Sequence, residues 1–287
     1  MTEYDGRGPI ALRMVLGAQL RRLRQARDIT REEAGDAIRA SESKISRIEL
    51  GRVSVKPRDV GDLLTLYGVH DHDERAPLLD MAGKTREPGW WQEYGDIMPD
   101  WFEEYVGLES AASLIRTYEV QFVPGLLQTA EYARAVAARG RDLADQHEVE
   151  RHVGLRMNRA KLLTRTPAPT LWAIVDEAAL RRPIGGEDVM RRQIEALIEA
   201  VARPNIRIQI MPFGVGGHAA ESGAFTILRF PNEEIRDVVY VEQLHGANYV
   251  SKPEDVEQYR DVVDRLAAEC PPPEHTRDVL DGLHSQL

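Results

Sequence analysis

Cysteine occurs once in the 287 residues, at Cys270, which excludes an intrachain disulfide framework and leaves any metal site short of sulfur ligands. Long hydrophobic runs are missing too. Nowhere do about eighteen apolar residues follow one another, as a spanning helix requires, and the opening MTEYDGRGPI lacks a basic-then-apolar leader pattern. The expected location is therefore the cytoplasm, without membrane contact. The eight histidines fall at no metal-ligand spacing, so neither metal nor cofactor is expected. No Ser or Cys sits in a recognisable nucleophile elbow; no catalytic residue is assigned, and an enzyme is not expected. What remains is ordinary for a folded protein: 43% hydrophobic and 29% charged residues, with length enough for two domains.

The formal net charge of -10 is unevenly spread. Residues 1–58 hold 13 Lys/Arg against 8 Asp/Glu, while the remainder holds 24 against 39, so a +5 module sits on a -15 body. Neutralising phosphates supplies most nonspecific DNA affinity, so this local surplus matters more than the pI of 5.4.

The basic region contains ITREEAGDAIRASESKISRIELG, residues 29–51. Thr30 and Glu33 form a capping box that starts a helix at Arg31, with Ala34, Ala37 and Ile38 as its apolar face. Ile38-Arg39-Ala40 must turn the chain, because Ser41 is a second N-cap. A second helix then runs from about Glu42 to Leu50, with Ile45 and Ile48 inward and Glu42, Ser43, Lys44, Ser46 and Arg47 on the other faces. Gly51 suits a left-handed C-terminal cap. Two helices and a tight turn, the second helix polar outside, make a helix-turn-helix able to enter a major groove.

Thr30, Glu33, Ala34, Ser41, Lys44, Ile45, Ser46, Ile48, Glu49 and Gly51 together resemble the repressor and xenobiotic-response-element (XRE) class. Arg39 departs from it, standing where such proteins often place glycine. The resemblance implies a DNA-binding surface of Thr30, Arg31, Ser41, Glu42, Ser43, Lys44, Ser46, Arg47, Arg52 and Lys56. Within it Glu42, Ser43, Ser46 and Arg47 would face base edges and Lys44 phosphate.

Around this motif, residues 1–10 read as a flexible arm without assigned function. Leu16, Leu20 and Leu23 mark a first helix from about Ala11 to Arg27, whose arginines face either phosphate or solvent. Proline is tolerated in a first helical turn, so beyond Pro57 a fourth helix runs from about Arg58 to Tyr67, buried through Val60, Leu63, Leu64 and Tyr67 and ended by Gly68. A fifth covers about Asp73 to Ala82. From Thr85 the composition changes. Trp90, Trp91 and Trp101, with Tyr94, Phe102 and Tyr105, concentrate aromatic area for an interdomain junction, a partner or ligand surface, or a pocket wall. The acidic residues among them argue against stacked bases. Helical period covers about residues 101–120, breaks at Pro124-Gly125, and resumes over Gln128–Arg139 and about Asp145–Leu163. Strand-like runs follow at Leu171–Val175, Ile206–Ile210, Phe225–Phe230 and Val238–Val241, with helices at Glu187–Ala202, about 253–269 and near Thr276–Leu283. The expected fold is a mainly α five-helix N-terminal domain over residues 1–84. Residues 85–287 follow, as a helical region over 85–165 and an α/β (α+β) part with a small sheet over 166–287.

Three features invite a chemical reading. The glycines at 214–217 resemble a phosphate-cradling loop, but the following AFTILRF is strand-like, whereas a dinucleotide fingerprint leads into a helix. A turn between strands is preferred. His218 with Glu221, and Asp176 with Glu177, are candidate acid–base pairs; ion pairing with Arg181 and Arg182 is the preferred reading of the second.

Beyond the helix-turn-helix, the motifs WW at 90–91, VGLE at 106–109, VPGLLQTAEYARA at 123–135, DEAALRRPIGG at 176–186, PNIRIQIMPF at 204–213 and VVYVE at 238–242 resemble actinobacterial regulators carrying a C-terminal DUF5753 domain. This resemblance implies a transcription regulator that acts on double-stranded operator DNA of two-fold symmetry as a homodimer. It also implies a C-terminal domain that senses a ligand or a small DUF397-type partner protein, in some relatives as a toxin–antitoxin pair. An antitoxin scaffold, and an enzyme with an autoregulatory helix-turn-helix, are the alternatives.

Overall fold

The computed structural model describes residues 8–87, 89–140, 145–232 and 235–287. Most of the arm expected over residues 1–10 lies outside them. The chain divides into two compact units, Met1–Gln92 with Pro231–Ile235 and Glu93–Phe230 with Arg236–Leu287.

In the first unit five helices pack around one core: α1 (Pro9–Gln25), α2 (Arg31–Ala37), α3 (Glu42–Glu49), α4 (Pro57–Leu66) and α5 (His72–Lys84). Proline opens α1 and α4, where a missing N–H costs nothing. The expected apolar faces close on each other, with Leu16, Leu20, Ile45, Ile48, Val60, Leu63, Leu64 and Tyr67 all buried. Ala37 is a correction. It is exposed, and Gly35 occupies the buried face instead. A Cβ at Gly35 would lie 2.5 Å from the Ala40 carbonyl oxygen, so the α2–α3 turn closes too tightly for a side chain there.

Helices α1 to α4 end alike. A left-handed residue (Asp28, Arg39, Gly51 or Gly68) is followed by an N–H that donates to the carbonyl five residues back. Arg39 adopts φ 56° and keeps this turn without glycine. Left-handed backbone costs a residue with a Cβ roughly 1–2 kcal/mol, and glycine's greater freedom in the unfolded chain offsets about 0.4–1 kcal/mol. Arg39→Gly is expected to raise unfolding stability by about 0.5–1 kcal/mol in a urea titration, and a lowered midpoint would show that the Arg39 side chain stabilises the turn.

The second unit comprises α6 (Asp100–Ala111), β1 (Leu114–Glu119), α7 (Ala130–Gly140), α8 (Gln146–Ala160), β2 (Thr170–Asp176), α9 (Glu177–Arg181), α10 (Glu187–Ala200), β3 (Ile206–Met211), β4 (Phe225–Arg229), β5 (Val238–Gln243), β6 (Gly246–Val250), α11 (Pro253–Glu269) and α12 (Thr276–His284). The strands form one mixed sheet in the order β3-β2-β1-β4-β5-β6. Strands β1, β2 and β3 are parallel, and β4, β5 and β6 continue antiparallel.

The helical period expected over residues 101–120 ends at Ala111, and residues 114–119 are a central strand. The reason is burial on both faces. Ile115 and Tyr118 stand three apart, a helical spacing, while Arg116 and Thr117 are buried as well, so no polar–apolar alternation marks the strand. The edge strand β6, with its partly exposed GANYV, gave no strand signal either.

Alternation along β1 assigns the two faces of the sheet. Tyr118 joins Ile174, Phe225, Ile227 and Val239 in a core closed by Val256, Val263 and Leu266 of α11. Ile115, Thr117 and Glu119 point the other way, beneath α6 and α8.

Candidate nucleic-acid interface and a charged cavity

The α2–α3 motif is capped at both starts. The Thr30 hydroxyl oxygen accepts from the Glu33 amide (3.1 Å) while Glu33 Oε2 accepts from the Thr30 amide (2.7 Å), and these bonds hold the Glu33 carboxyl below its usual range. Ser41 Oγ accepts from the Lys44 amide at 3.2 Å. Thr30 and Ser41, both predicted to touch DNA, are thus the caps that set the two helix starts. On α3, Glu42, Ser43 and Arg47 are exposed and Lys44 and Ser46 partly so, while Arg52 and Lys56 are exposed in the loop beyond.

What holds α3 down is a buried ion pair. Arg24 of α1 donates through Nε and Nη2 to the two Glu49 carboxylate oxygens, at 2.5 and 3.1 Å, and through Nη1 to the Ile29 carbonyl at 2.6 Å. One guanidinium therefore joins α1, α3 and the chain leading into α2. Glu49 hydrogen bonding raises the Arg24 pKa, and Tyr67 alongside is pushed up by burial and then by the Glu49 charge. Arg31 Nε also reaches Glu49, at 3.4 Å, so this predicted DNA residue is tethered while its side chain remains 37% exposed. Below the pair the helices touch backbone to backbone: a Cβ at Gly17 would stand 2.3 Å from the Ile48 carbonyl oxygen.

In the second unit, a cavity of about 360 Å³ lies between the sheet and helices α6 and α8. It extends to Glu119, at the carboxyl end of β1, where α/β sheets commonly hold ligands. Trp101, Phe102 and Tyr105 of α6 line one wall. Tyr105 stacks on Tyr240 at 4.1 Å between ring centroids, and Arg159 lies over Phe102 and Tyr105. Arg159 is fully engaged: Nε and Nη2 each donate to Glu109 at 2.8 Å, and the pull of Glu109 outweighs burial and raises its pKa.

Two other charges in the cavity have no such partner. Arg156 donates to the neutral Gln128 Oε1 at 2.9 Å; burial, and then repulsion from Arg159, lowers its pKa to about 10. Gln128 is fixed in turn by donating to the Val123 carbonyl at 2.7 Å. Glu119 is raised to about 7 by burial and then by Glu242, whose carboxylate accepts from the Tyr240 hydroxyl at 2.9 Å.

Residues 15–78 match a family model described as a helix-turn-helix domain, and residues 102–282 match one described as a domain of unknown function, DUF5753. The chain belongs to the DUF5753 family. The helix-turn-helix points to a DNA-binding regulator. No curated protein and no solved structure matches the chain.

Within the DUF5753 region the other sequence candidates separate. Asp176 caps α9 by accepting from the Ala178 amide, and Glu177 pairs with Arg181 and accepts from the Phe213 amide. His218 turns from Glu221 to the Tyr118 hydroxyl at 2.8 Å, and Tyr118 reaches Asp176 at 3.4 Å. The glycine loop joins β3 to β4, with open space where Cβ atoms at Gly214, Gly216 and Gly217 would stand. Trp101 is in the cavity wall, whereas Trp90 and Trp91 belong to the first unit, 39% and 2% exposed. Among the described residues, no group of three or more His, Cys, Asp or Glu is placed to hold a metal ion, and no helix is long and apolar enough to cross a membrane.

Glu119 carries a pH dependence. A carboxyl raised in the folded state stabilises below its ordinary pKa of 4.5, and that contribution is lost as pH rises through about 7. The melting temperature is expected to fall from about pH 5 to about pH 8, and to fall less in Glu119→Gln. Parallel profiles for the two proteins would show that Glu119 titrates alike folded and unfolded.

Proposed function

We propose that the chain is a sequence-specific, XRE-type transcriptional regulator, of the kind carried by actinobacteria, acting in the cytoplasm as a homodimer on a two-fold operator. The observation that carries this reading is the doubly capped helix-turn-helix, whose α3 buries Ile45 and Ile48 while leaving a polar row outside. In this reading Arg47 takes guanine, Glu42 accepts from cytosine N4, and Ser43 and Ser46 complete base contact. Lys44, Arg31, Arg52 and Lys56 meet phosphates, and the amides at the capped starts behind Thr30 and Ser41 add helix-terminus donors.

Residues 1–84 form the DNA-binding domain in this reading, and residues 85–287 the sensing and dimerising one. The acidic balance of the latter repels DNA and suits a small basic partner of the DUF397 type, with Trp90 and Trp101 as candidate anchors while the buried Trp91 backs Trp90. Partner binding alters operator affinity through dimer geometry, and operator DNA alters partner affinity by the same factor. Neutralising that small neighbour, as an antitoxin does, differs from this reading only in which effect is selected.

Arg47→Ala is expected to cost roughly 1–3 kcal/mol on the operator and to relax preference at one position. Equal weakening on operator and random DNA in gel-shift titrations would reassign it to phosphate. Light scattering at micromolar concentration is expected to give a dimer, since one such module contacts too little DNA for high specificity. A monomer both alone and with DNA would refute the two-fold reading.

A further inference from the structure

Charges of both signs in one cavity normally pair, because an isolated buried charge loses hydration that only an opposite charge returns. Here they do so only in part. Glu109 and Arg159 satisfy each other with two 2.8 Å bonds, whereas Arg156, one turn earlier on α8, is held to Gln128 and, among the described residues, has no carboxylate within ion-pairing distance, although Glu242 and Glu119 attract it from farther off. Gln128 is itself buried and anchored to the Val123 carbonyl, so the arrangement is built rather than incidental. Glu119, partly buried on β1 and hydrogen-bonded to Thr117, stands near the exposed Glu242 on β5; Arg159 and Arg156 attract it, but among the described residues no cation is within ion-pairing reach. A guanidinium on the helical side, hydrogen-bonded to a neutral amide, therefore faces two carboxylates on the sheet side that it attracts without forming an ion pair. Between them, Trp101, Phe102 and Tyr105 offer apolar surface.

We propose that this cavity binds a small zwitterion, an amino-carboxylate bearing a large apolar substituent, with its carboxylate on Arg156, its ammonium between Glu119 and Glu242, and its apolar group against the aromatic wall. The volume of about 360 Å³ admits a molecule of amino-acid size. A purely cationic ligand would leave Arg156 with Gln128 as its hydrogen-bond acceptor; a purely anionic one would add a third negative charge beside the two carboxylates. A ligand with both signs matches both ends of the cavity. The site is complete within the second unit; only its regulatory consequence rests on the regulator reading above.

The test uses the full chain and calorimetric titration with L-phenylalanine, L-tryptophan and L-leucine. Two single-charge relatives of phenylalanine, phenethylamine and 3-phenylpropionate, are titrated alongside. At least one of the three amino acids is expected to bind. Where phenylalanine binds, each single-charge relative should bind at least about tenfold more weakly. Arg156→Gln should abolish the preference over phenethylamine, and Glu119→Gln the preference over 3-phenylpropionate, with both variants first checked for an intact melting transition. If either variant fails to fold, the ranking of the five compounds on the wild-type chain decides alone. No binding of the amino acids at millimolar concentration, a single-charge relative binding as tightly as phenylalanine, or unchanged affinities in two folded variants would each overturn the proposal. Operator affinity is read separately, with and without the bound amino acid. Binding without any effect on DNA leaves the ligand site standing and sinks its regulatory role, whereas loss of DNA binding altogether bears only on the regulator reading.

Discussion

The position of α3 depends on the buried pair of Arg24 and Glu49. A helix of eight residues has too few internal hydrogen bonds to persist in water and must borrow stability from its packing. Ile45 and Ile48 supply the apolar part, but they leave rotation about the helix axis loosely fixed. The two-pronged bond from Arg24 removes that freedom, and its third bond, to the Ile29 carbonyl, ties in the strand of chain that leads to the first capping box. Removing either partner would strand a buried charge, a loss of about 3–5 kcal/mol and a large share of a small domain's stability.

The second unit uses the same device and then withholds it. Arg159 and Glu109 repeat the closed two-bond pair deep under α8, locking α8 to α6. Arg156 on the preceding turn is left with a neutral acceptor, and Glu119 opposite with a like-charged neighbour. The contrast between one satisfied and one unsatisfied set, within a single cavity, separates architecture from recognition.

How much of this could be read from the sequence follows from the range of the interactions. The capping box, the Ser41 cap, the α2–α3 turn and the left-handed Gly51 involve residues a few positions apart, and all were legible. The Arg24–Glu49 pair spans 25 residues, and nothing in the α1 pattern distinguishes Arg24 from the arginines around it. Strand β1 hid because its buried residues imitate helical spacing. The cavity was illegible for a related reason: its walls come from α6, α7, α8, four strands and the chain between β1 and α7, and only the sheet order brings Glu119, Thr226 and Glu242 together. Of the tryptophans, Trp101 alone reaches that cavity.

Gly17 has one further consequence. Because α1 and α3 meet there main chain against main chain, the height of α3 on its support is set by atoms common to every amino acid. The outward residues Glu42, Ser43, Ser46 and Arg47 take no part in that contact. The reading edge and its mount are therefore separable: descendants of this chain can exchange the four outer side chains, and with them the preferred base sequence, while the mount stays unaltered.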